Sequence, residues 1–284
     1  MPRQQTTLRD PDFGDWELVT AMPHQRLRPH VSRYVGWFDR RTTPVRRREL
    51  PTHEVPVVIS FGDPIRLFDA GDSRGWSDFG SFASGAYDSY VLVETAASAG
   101  IQIDFTLLGA RLFLGRPLHD LRNRGVSLGD LFGDRARQLT MELHDAPTWD
   151  ARFDILDREI GARLWAKRSP SDDVLWTWRR IVESRGQLTI GSLAGETGRS
   201  RKHLISQFKE QIGLSPKVFA RVLRFGRAVR GLKRSAPRRL ADLAADCGYY
   251  DQAHFDRDFK AFAGVAPSEL LRHLQVDGGF TVDG

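Results

Sequence analysis

Residues 193–216 read LAGETGRSRKHLISQFKEQIGLSP, and residues 243–267 read LAADCGYYDQAHFDRDFKAFAGVAP. Set against each other, the two stretches match in order. Leu193/Leu243, Ala194/Ala244 and Gly198/Gly248 pair at an offset of 50. One residue is then inserted, and Leu204/Phe255, Phe208/Phe259, Lys209/Lys260, Gly213/Gly264 and Pro216/Pro267 pair at 51. Chance supplies one or two such identities, not an ordered set. The chain therefore carries an internal duplication.

Each copy reads as helix, tight turn, helix. In the first, Leu188, Ile190, Leu193 and Ala194 form one helical face, and Gly198 ends it, because a left-handed residue is tolerated there by glycine. Ser200 suits the N-cap of the next helix. Leu204, Phe208 and Ile212 then recur every four residues as a core-facing stripe, leaving Arg201, Lys202, Ile205, Ser206 and Lys209 on other faces until Gly213 stops the helix. The second copy repeats the scheme. Leu240, Leu243 and Ala244 point inward, Gly248 turns, Asp251 caps, and Phe255, Phe259 and Phe262 form the inner stripe. Gln252, His254, Asp256 and Arg257 lie off that stripe. Two helices joined by a short turn with glycine, the second presenting basic and amide groups, is the design that reads a DNA major groove.

A third element joins the copies. Ser215-Pro216 is an N-cap followed by proline at the first helical position. Phe219, Val222 and Val229 supply core contacts to about Leu232. Such a helix is about 25 Å long, whereas successive major-groove segments lie about 34 Å apart. The difference predicts bent DNA or one imperfectly seated helix; bending costs of order 1–6 kcal/mol, offset by the second set of contacts. Along this helix Arg221, Arg224, Arg227, Arg230 and Lys233 recur every three residues, which places some of them near phosphates and leaves others solvated.

The charge agrees with this reading. The 284 residues carry a formal net charge of +6. Residues 171–275 hold 19 Lys and Arg against 11 Asp and Glu, a net of +8; the remainder holds 23 against 25, a net of −2. The positive excess thus sits in the C-terminal third, which favours an anionic partner. The single cysteine, Cys247, excludes an intramolecular disulfide and a cysteine cluster for zinc. Before the turn glycine, it reads as buried and inert. The N-terminus MPRQQTTLRD lacks the apolar core of a signal peptide, and no run reaches the roughly 18 apolar residues of a membrane helix. The expectation is a soluble, cytoplasmic protein without membrane attachment.

Residues 171–275 resemble the DNA-binding domain of the AraC/XylS family of bacterial transcription regulators, most strongly in GYYDQAHFDRDFKAFAGVAPSEL, residues 248–270. The resemblance implies two helix-turn-helix motifs, a linking helix, double-stranded DNA as partner, and base reading from the second helix of each motif. Carried onto this chain, the first reader's positions are Arg201, Lys202, Ile205 and Ser206, and the second reader's are Gln252, Ala253, His254, Asp256 and Arg257. Gln to adenine and Arg to guanine are the natural geometric pairings for Gln252 and Arg257. His203 and His254 are each of a kind more often found as ordinary helix-surface residues than as specific base readers. Arg199, Lys209, Arg221, Arg224 and Lys260 are expected at phosphates. Two positions depart from the pattern. Ile205 is apolar where a polar reader is usual, and Asp256 would repel phosphate unless it pairs with Arg257 or accepts from a cytosine amino group.

Upstream the texture changes. HEVPVVISFGDPIRLFD, residues 53–69, has two short apolar runs broken by Gly-Asp-Pro and reads as a hairpin. YDSYVLVET and GIQIDFTLLG are further strands, the second alternating Ile101, Ile103 and Phe105. Short strands separated by Gly, Asp and Ser predict a small β-barrel or sandwich of the cupin-like kind. Residues 127–147 look like one helix and 148–168 another, the latter placing Phe153, Leu156, Ile160 and Leu164 on one side. This second helix either pairs two subunits or covers the barrel. The domain reading is 1–147 as a β-rich sensory or dimerisation domain, 148–170 as a helical linker or dimer helix, 171–275 as the double helix-turn-helix domain, and 276–284 as a tail. The fold class is α+β. This half resembles the β-rich sensory domains joined to many AraC-type regulators, which implies a small-molecule effector, a homodimer or both, and RNA polymerase as a further partner if the protein activates.

Trp37, Phe61, Phe79 and Phe82 are the aromatics available to wall a ligand site, although core packing employs aromatics more often. No metal site is expected, because adjacent His53 and Glu54 would point to opposite faces of a strand. No phosphate loop or His-Glu-x-x-His is present, and no cofactor is called for. The chain reads as a regulator rather than an enzyme. The rivals are a DNA-anchored enzyme and a constitutive regulator whose first half only dimerises.

Overall fold

The computed structural model describes residues 5–9, 16–40, 43–69, 72–165, 170–234, 239–273 and 280–281. Ten strands come first: β1 (Gln5–Arg9), β2 (Trp16–Ala21), β3 (Val31–Asp39), β4 (Val45–Glu49), β5 (Glu54–Ser60), β6 (Ile65–Asp69), β7 (Asp72–Phe79), β8 (Phe82–Ser84), β9 (Val91–Thr95) and β10 (Ser98–Thr106). Helix α1 (Leu107–Leu114), strand β11 (Gly125–Ser127) and helices α2 (Leu128–Phe132), α3 (Asp134–Asp145) and α4 (Trp149–Trp165) complete the first half. The second half is helical: α5 (Asp172–Glu183), α6 (Ile190–Thr197), α7 (Arg201–Ile212), α8 (Pro216–Arg234), α9 (Leu240–Asp246), α10 (Gln252–Ala263) and α11 (Pro267–His273). A short strand β12 (Phe280–Thr281) follows.

The strands form two antiparallel sheets, one in the order β1-β2-β3-β10-β5-β8-β11 and one in the order β12-β4-β9-β6-β7. Both faces of the larger sheet are covered. Val55, Val57, Ile59, Ile101, Ile103 and Phe105 point to one side, where α1 and α4 bring Phe113, Phe153, Leu156 and Ile160. On the other side Val58 and Phe82 meet Ile65, Leu67, Val91 and Val93 of the smaller sheet. Alternation along β10 therefore predicts its core face correctly, since successive side chains leave opposite faces. The first half is a sandwich with a helical layer on one face.

Two expectations fail here. Gly62-Asp63-Pro64 does not close a hairpin. β5 lies in the larger sheet beside β10 and β8, and β6 lies in the smaller beside β9 and β7, so the bend carries the chain from one layer to the other. The single helix expected over 127–147 is broken at Gly133, whose φ of +57° and ψ of −138° cannot continue a helix. The expected helix over 148–168 is present as α4, with its last residues, 166–168, outside the described part. Of the expected tail, 276–284, only Phe280 and Thr281 are described, and they pair with Arg48 and Arg47 of β4.

Candidate nucleic-acid interface

The two copies of the repeat fold as two helix-turn-helix units, α6–α7 and α9–α10. Gly198 at φ +64° and Gly248 at φ +81° make the turns, in the left-handed region that glycine enters without penalty. The capping residues act as their chemistry predicts. The Ser200 hydroxyl accepts from the His203 N–H at 3.2 Å, and the Asp251 carboxylate accepts from the His254 N–H at 2.6 Å. Helix α8 starts with the Ser215 hydroxyl accepting from the Val218 N–H at 3.3 Å. It spans 19 residues, about 28 Å at 1.5 Å per residue. One end of this rod places Phe219 against Phe208 of α7, with ring centroids 5.9 Å apart. Six residues on, Phe225 packs on Phe259 and Phe262 of α10 at 4.9 and 5.2 Å. Both reading helices are thus fixed to one strut by aromatic contacts on their inner stripes.

Their outer faces correspond position by position. Shifted by 51, Arg201, Lys202, Ile205, Ser206 and Lys209 of α7 fall on Gln252, Ala253, Asp256, Arg257 and Lys260 of α10. The spacing i, i+1, i+4, i+5, i+8 keeps each set on one helical face. All five on α7 are exposed, as are Gln252, Ala253, Arg257 and Lys260 on α10, while Asp256 is half-buried. His254 is half-buried too, its ring edge-on to Tyr249 at 5.2 Å. Among the described residues no ion pair joins Asp256 to Arg257. Arg201 folds back over Gly191 of α6.

The phosphate set changes. Arg221 donates to Asp258 of α10 through Nε at 3.0 Å and Nη2 at 2.7 Å, and its guanidinium stacks over Phe262. Asp258 is buried, so this pair is an interior joint between α8 and α10. Arg224 donates to the Gly186 carbonyl at 2.9 Å and covers the Tyr249 ring. Both were expected at phosphates, and both are instead engaged inside the domain. Arg227 donates to the Asp246 carbonyl at 3.0 Å. Arg199 pairs with Asp173 of α5 at 2.9 Å, and the His203 ring lies 3.6 Å from the same carboxylate. The side chain of Lys233 lies outside the described residues. Lys209 and Lys260 remain exposed at the two C-terminal ends of the reading helices.

Burial pushes the Cys247 thiol up, opposed in part by Arg227 and Arg230, so it is a poor nucleophile at neutral pH. Burial likewise raises the Tyr249 hydroxyl, with Asp258 adding to the effect.

The sequence reading missed two features. Helix α5 was overlooked, although Ser171, the acidic pair Asp172-Asp173 and the apolar spacing of Val174 and Ile181 mark its start and face. Tyr250 was also passed over. It is 93% exposed in the turn just before α10, a rare state for so large an aromatic. Nothing in the local sequence separates it from the neighbouring Tyr249, which is buried.

In the first half, a cavity of 350 Å³ is lined by Trp37, Phe38, Phe61, Trp149 and Arg152. Two of the four aromatics proposed as ligand walls, Trp37 and Phe61, are therefore in it. The other two, Phe79 and Phe82, pack on each other at 5.3 Å between the sheets. Among the described residues, no group of three or more His, Cys, Asp or Glu could hold a metal ion, and no helix is long and apolar enough to cross a membrane.

Residues 193–273 match the family model described as a helix-turn-helix domain. The chain is 30% identical over 92 residues to the HTH-type transcriptional regulator MtrA of Neisseria gonorrhoeae, covering 32% of this chain and 30% of that protein. The match thus spans under a third of that relative's length. Among solved structures, the C-terminal domain of AraT, a response regulator from Geobacillus stearothermophilus, is 26% identical over 36% of this chain and 86% of its own, with a TM-score of 0.34. ToxT from Vibrio cholerae is 12% identical over 82% of this chain and 94% of its own, with a TM-score of 0.46. The duplicated motif on a shared strut lies in the same stretch that matches the helix-turn-helix family model, and over that stretch the chain is similar to a transcriptional regulator.

Proposed function

We propose that the chain is a sequence-specific regulator of transcription, binding duplex DNA through α7 and α10. The observation that carries this is the pair of outer five-residue faces, exposed at every position but Asp256, related by the repeat and fixed to the two parts of α8. In this reading Arg201, Lys202, Ser206, Gln252, His254 and Arg257 face base edges. Lys209, Lys260 and the exposed part of Arg199 contact phosphates, supplying affinity without sequence information. Residues 171–275 form the DNA-binding domain, and the β-rich first half senses a small effector, dimerises, or does both. The 350 Å³ cavity beside Trp37 and Trp149 is the candidate effector site. Where the protein activates, RNA polymerase is the further partner.

The test is mapping of bound genomic sites with the intact protein, followed by titration of one recovered duplex at several salt concentrations. Affinity falls with salt, and Lys260→Ala lowers the log–log slope by about 0.9. Arg257→Ala costs about 1–3 kcal/mol on the cognate duplex and less on random DNA. Equal losses on both would remove Arg257 from base reading.

A further inference from the structure

A second cavity, of 510 Å³, lies where the two halves of the chain meet. His53, from the bend before β5, forms the β-rich side. Arg185 after α5, Arg227 and Arg230 on α8, and Asp246 at the end of α9 form the other, with Leu223 and Leu243 as apolar wall. Three guanidiniums against one carboxylate leave two positive charges in the groove. His53 adds none near pH 7. Burial holds its imidazole below the usual value, Arg230 pushes the same way, and Glu54 and Asp104 oppose.

Two details set this groove apart, an unpaired guanidinium nitrogen and an uncommon backbone conformation. Arg227 donates one nitrogen, Nη2, to the Asp246 carbonyl. Its Nη1 is buried and has no acceptor among the described residues. A buried donor left unpaired is unfavourable and calls for a partner. Arg185 is held at φ +56°, a left-handed conformation uncommon for a residue with a side chain. The turn that imposes it is pinned to α8, because Arg224 donates to the carbonyl of the next residue, Gly186. Backbone strain of this kind concentrates at ligand sites.

We propose that this groove binds a small organic dianion, a phosphate monoester with an apolar body, clamped by Arg185, Arg227 and Arg230. The doubly charged head neutralises the two excess charges, and planar guanidinium forks match its oxygens. The apolar body lies against Leu223 and Leu243. The consequence for control rests on the regulator reading: a ligand held by α8 and touching His53 joins the strut of both reading helices to the β-rich half. It changes DNA affinity to the extent that it favours one arrangement of the two halves.

The test uses the full chain without DNA. Calorimetric titration with phenyl phosphate, which carries two charges for the most part at neutral pH, is compared with benzenesulfonate, which has the same ring and one charge. Phenyl phosphate is expected to saturate one site per chain, about tenfold tighter than benzenesulfonate. Arg230→Gln and Arg185→Gln, both at exposed positions, each weaken it about tenfold, whereas Arg137→Gln on the surface of α3 leaves it unchanged. These two variants keep the test decisive if Arg227→Gln fails to fold. Absence of saturable heat, equal binding of the two probes, or affinity that survives both substitutions would overturn the proposal. Duplex binding without phenyl phosphate is measured alongside. A chain that binds duplex but not phenyl phosphate loses only the groove; one that binds phenyl phosphate but no duplex keeps the groove and loses the regulator reading.

Discussion

Arg221 and Asp258 show how far a single side chain can be read before its partner is known. In sequence, Arg221 is one of a row of basic residues three apart, and phosphate is the natural partner for such a row. The deciding fact is Asp258, 37 residues away, buried on the facing side of α10 and 2.7 Å from the guanidinium. Removing the arginine strands a buried carboxylate, so Arg221→Ala costs about 3–5 kcal/mol of stability. Urea unfolding measures the loss, and the salt slope of DNA binding in the surviving folded fraction stays at its wild-type value. Tyr250 is the reverse case. It is 93% exposed and touches no core, so Tyr250→Ala leaves the melting temperature unchanged. Its place beside the Asp251 cap puts it at the N-terminal end of α10, the end that the proposed docking turns toward the groove. Tyrosine anchors at interfaces commonly carry more than about 1 kcal/mol, and a loss of that size on duplex DNA is expected. Unaltered affinity would make Tyr250 an idle surface residue.

Elements were legible where one helix or strand carries its own signal. Capping residues, turn glycines and four-residue apolar spacing placed α7 and α10, and two-residue alternation placed β10. Failures came where a neighbour decides. Gly-Asp-Pro marks a reversal equally well in a hairpin and in a crossing between layers, and only the partners β10 and β9 separate the two. The break at Gly133 creates the start of α3, and α3 is then bound to α4 by charge. Arg135 donates to Glu159 at 2.6 Å, and Arg163 donates to the same carboxylate at 2.7 Å. Burial alone would raise the Glu159 carboxyl, but the two arginines outweigh it and hold it below its usual value. A carboxyl depressed on folding contributes stability that is present above its unfolded value, roughly 4.3, and lost as pH falls through the folded value. Glu159→Gln is therefore expected to cost about 1.5–3 kcal/mol at pH 7. The penalty shrinks once the pH falls below the carboxylate range, as thermal unfolding at pH 7 and in acid would show. A penalty independent of pH would assign Glu159 a packing role only.

Across the whole molecule, the two helix-turn-helix units are duplicates in sequence but not in surroundings. One continuous apolar core runs from the sheets through α1 and the Leu118–Leu121 turn to Phe208, Ile212 and Leu214 of the first unit. The second unit has a core of its own, built around Phe225, Phe255, Phe259 and Phe262, with Leu50 of the β-rich half at its margin. The sequence could not show this asymmetry, because Leu118 reads as any loop leucine until α7 is seen against it. The first unit thus borrows part of its stability from the β-rich half, and the second borrows little. Leu118 is fully buried, and Leu118→Ala is expected to cost about 2–5 kcal/mol. Hydrogen exchange in the folded variant tests where the loss falls. Amides of α7 should exchange faster than in the parent, while those of α10, across the strut, keep their protection. Equal loosening of both helices would mean that α8 transmits the change along its full length, and the two units would then open as one. Selective loosening of α7 would instead make the first reader the one whose presentation to DNA the β-rich half can alter, since a helix near the low end of local stability is the one that a neighbouring domain can order or release.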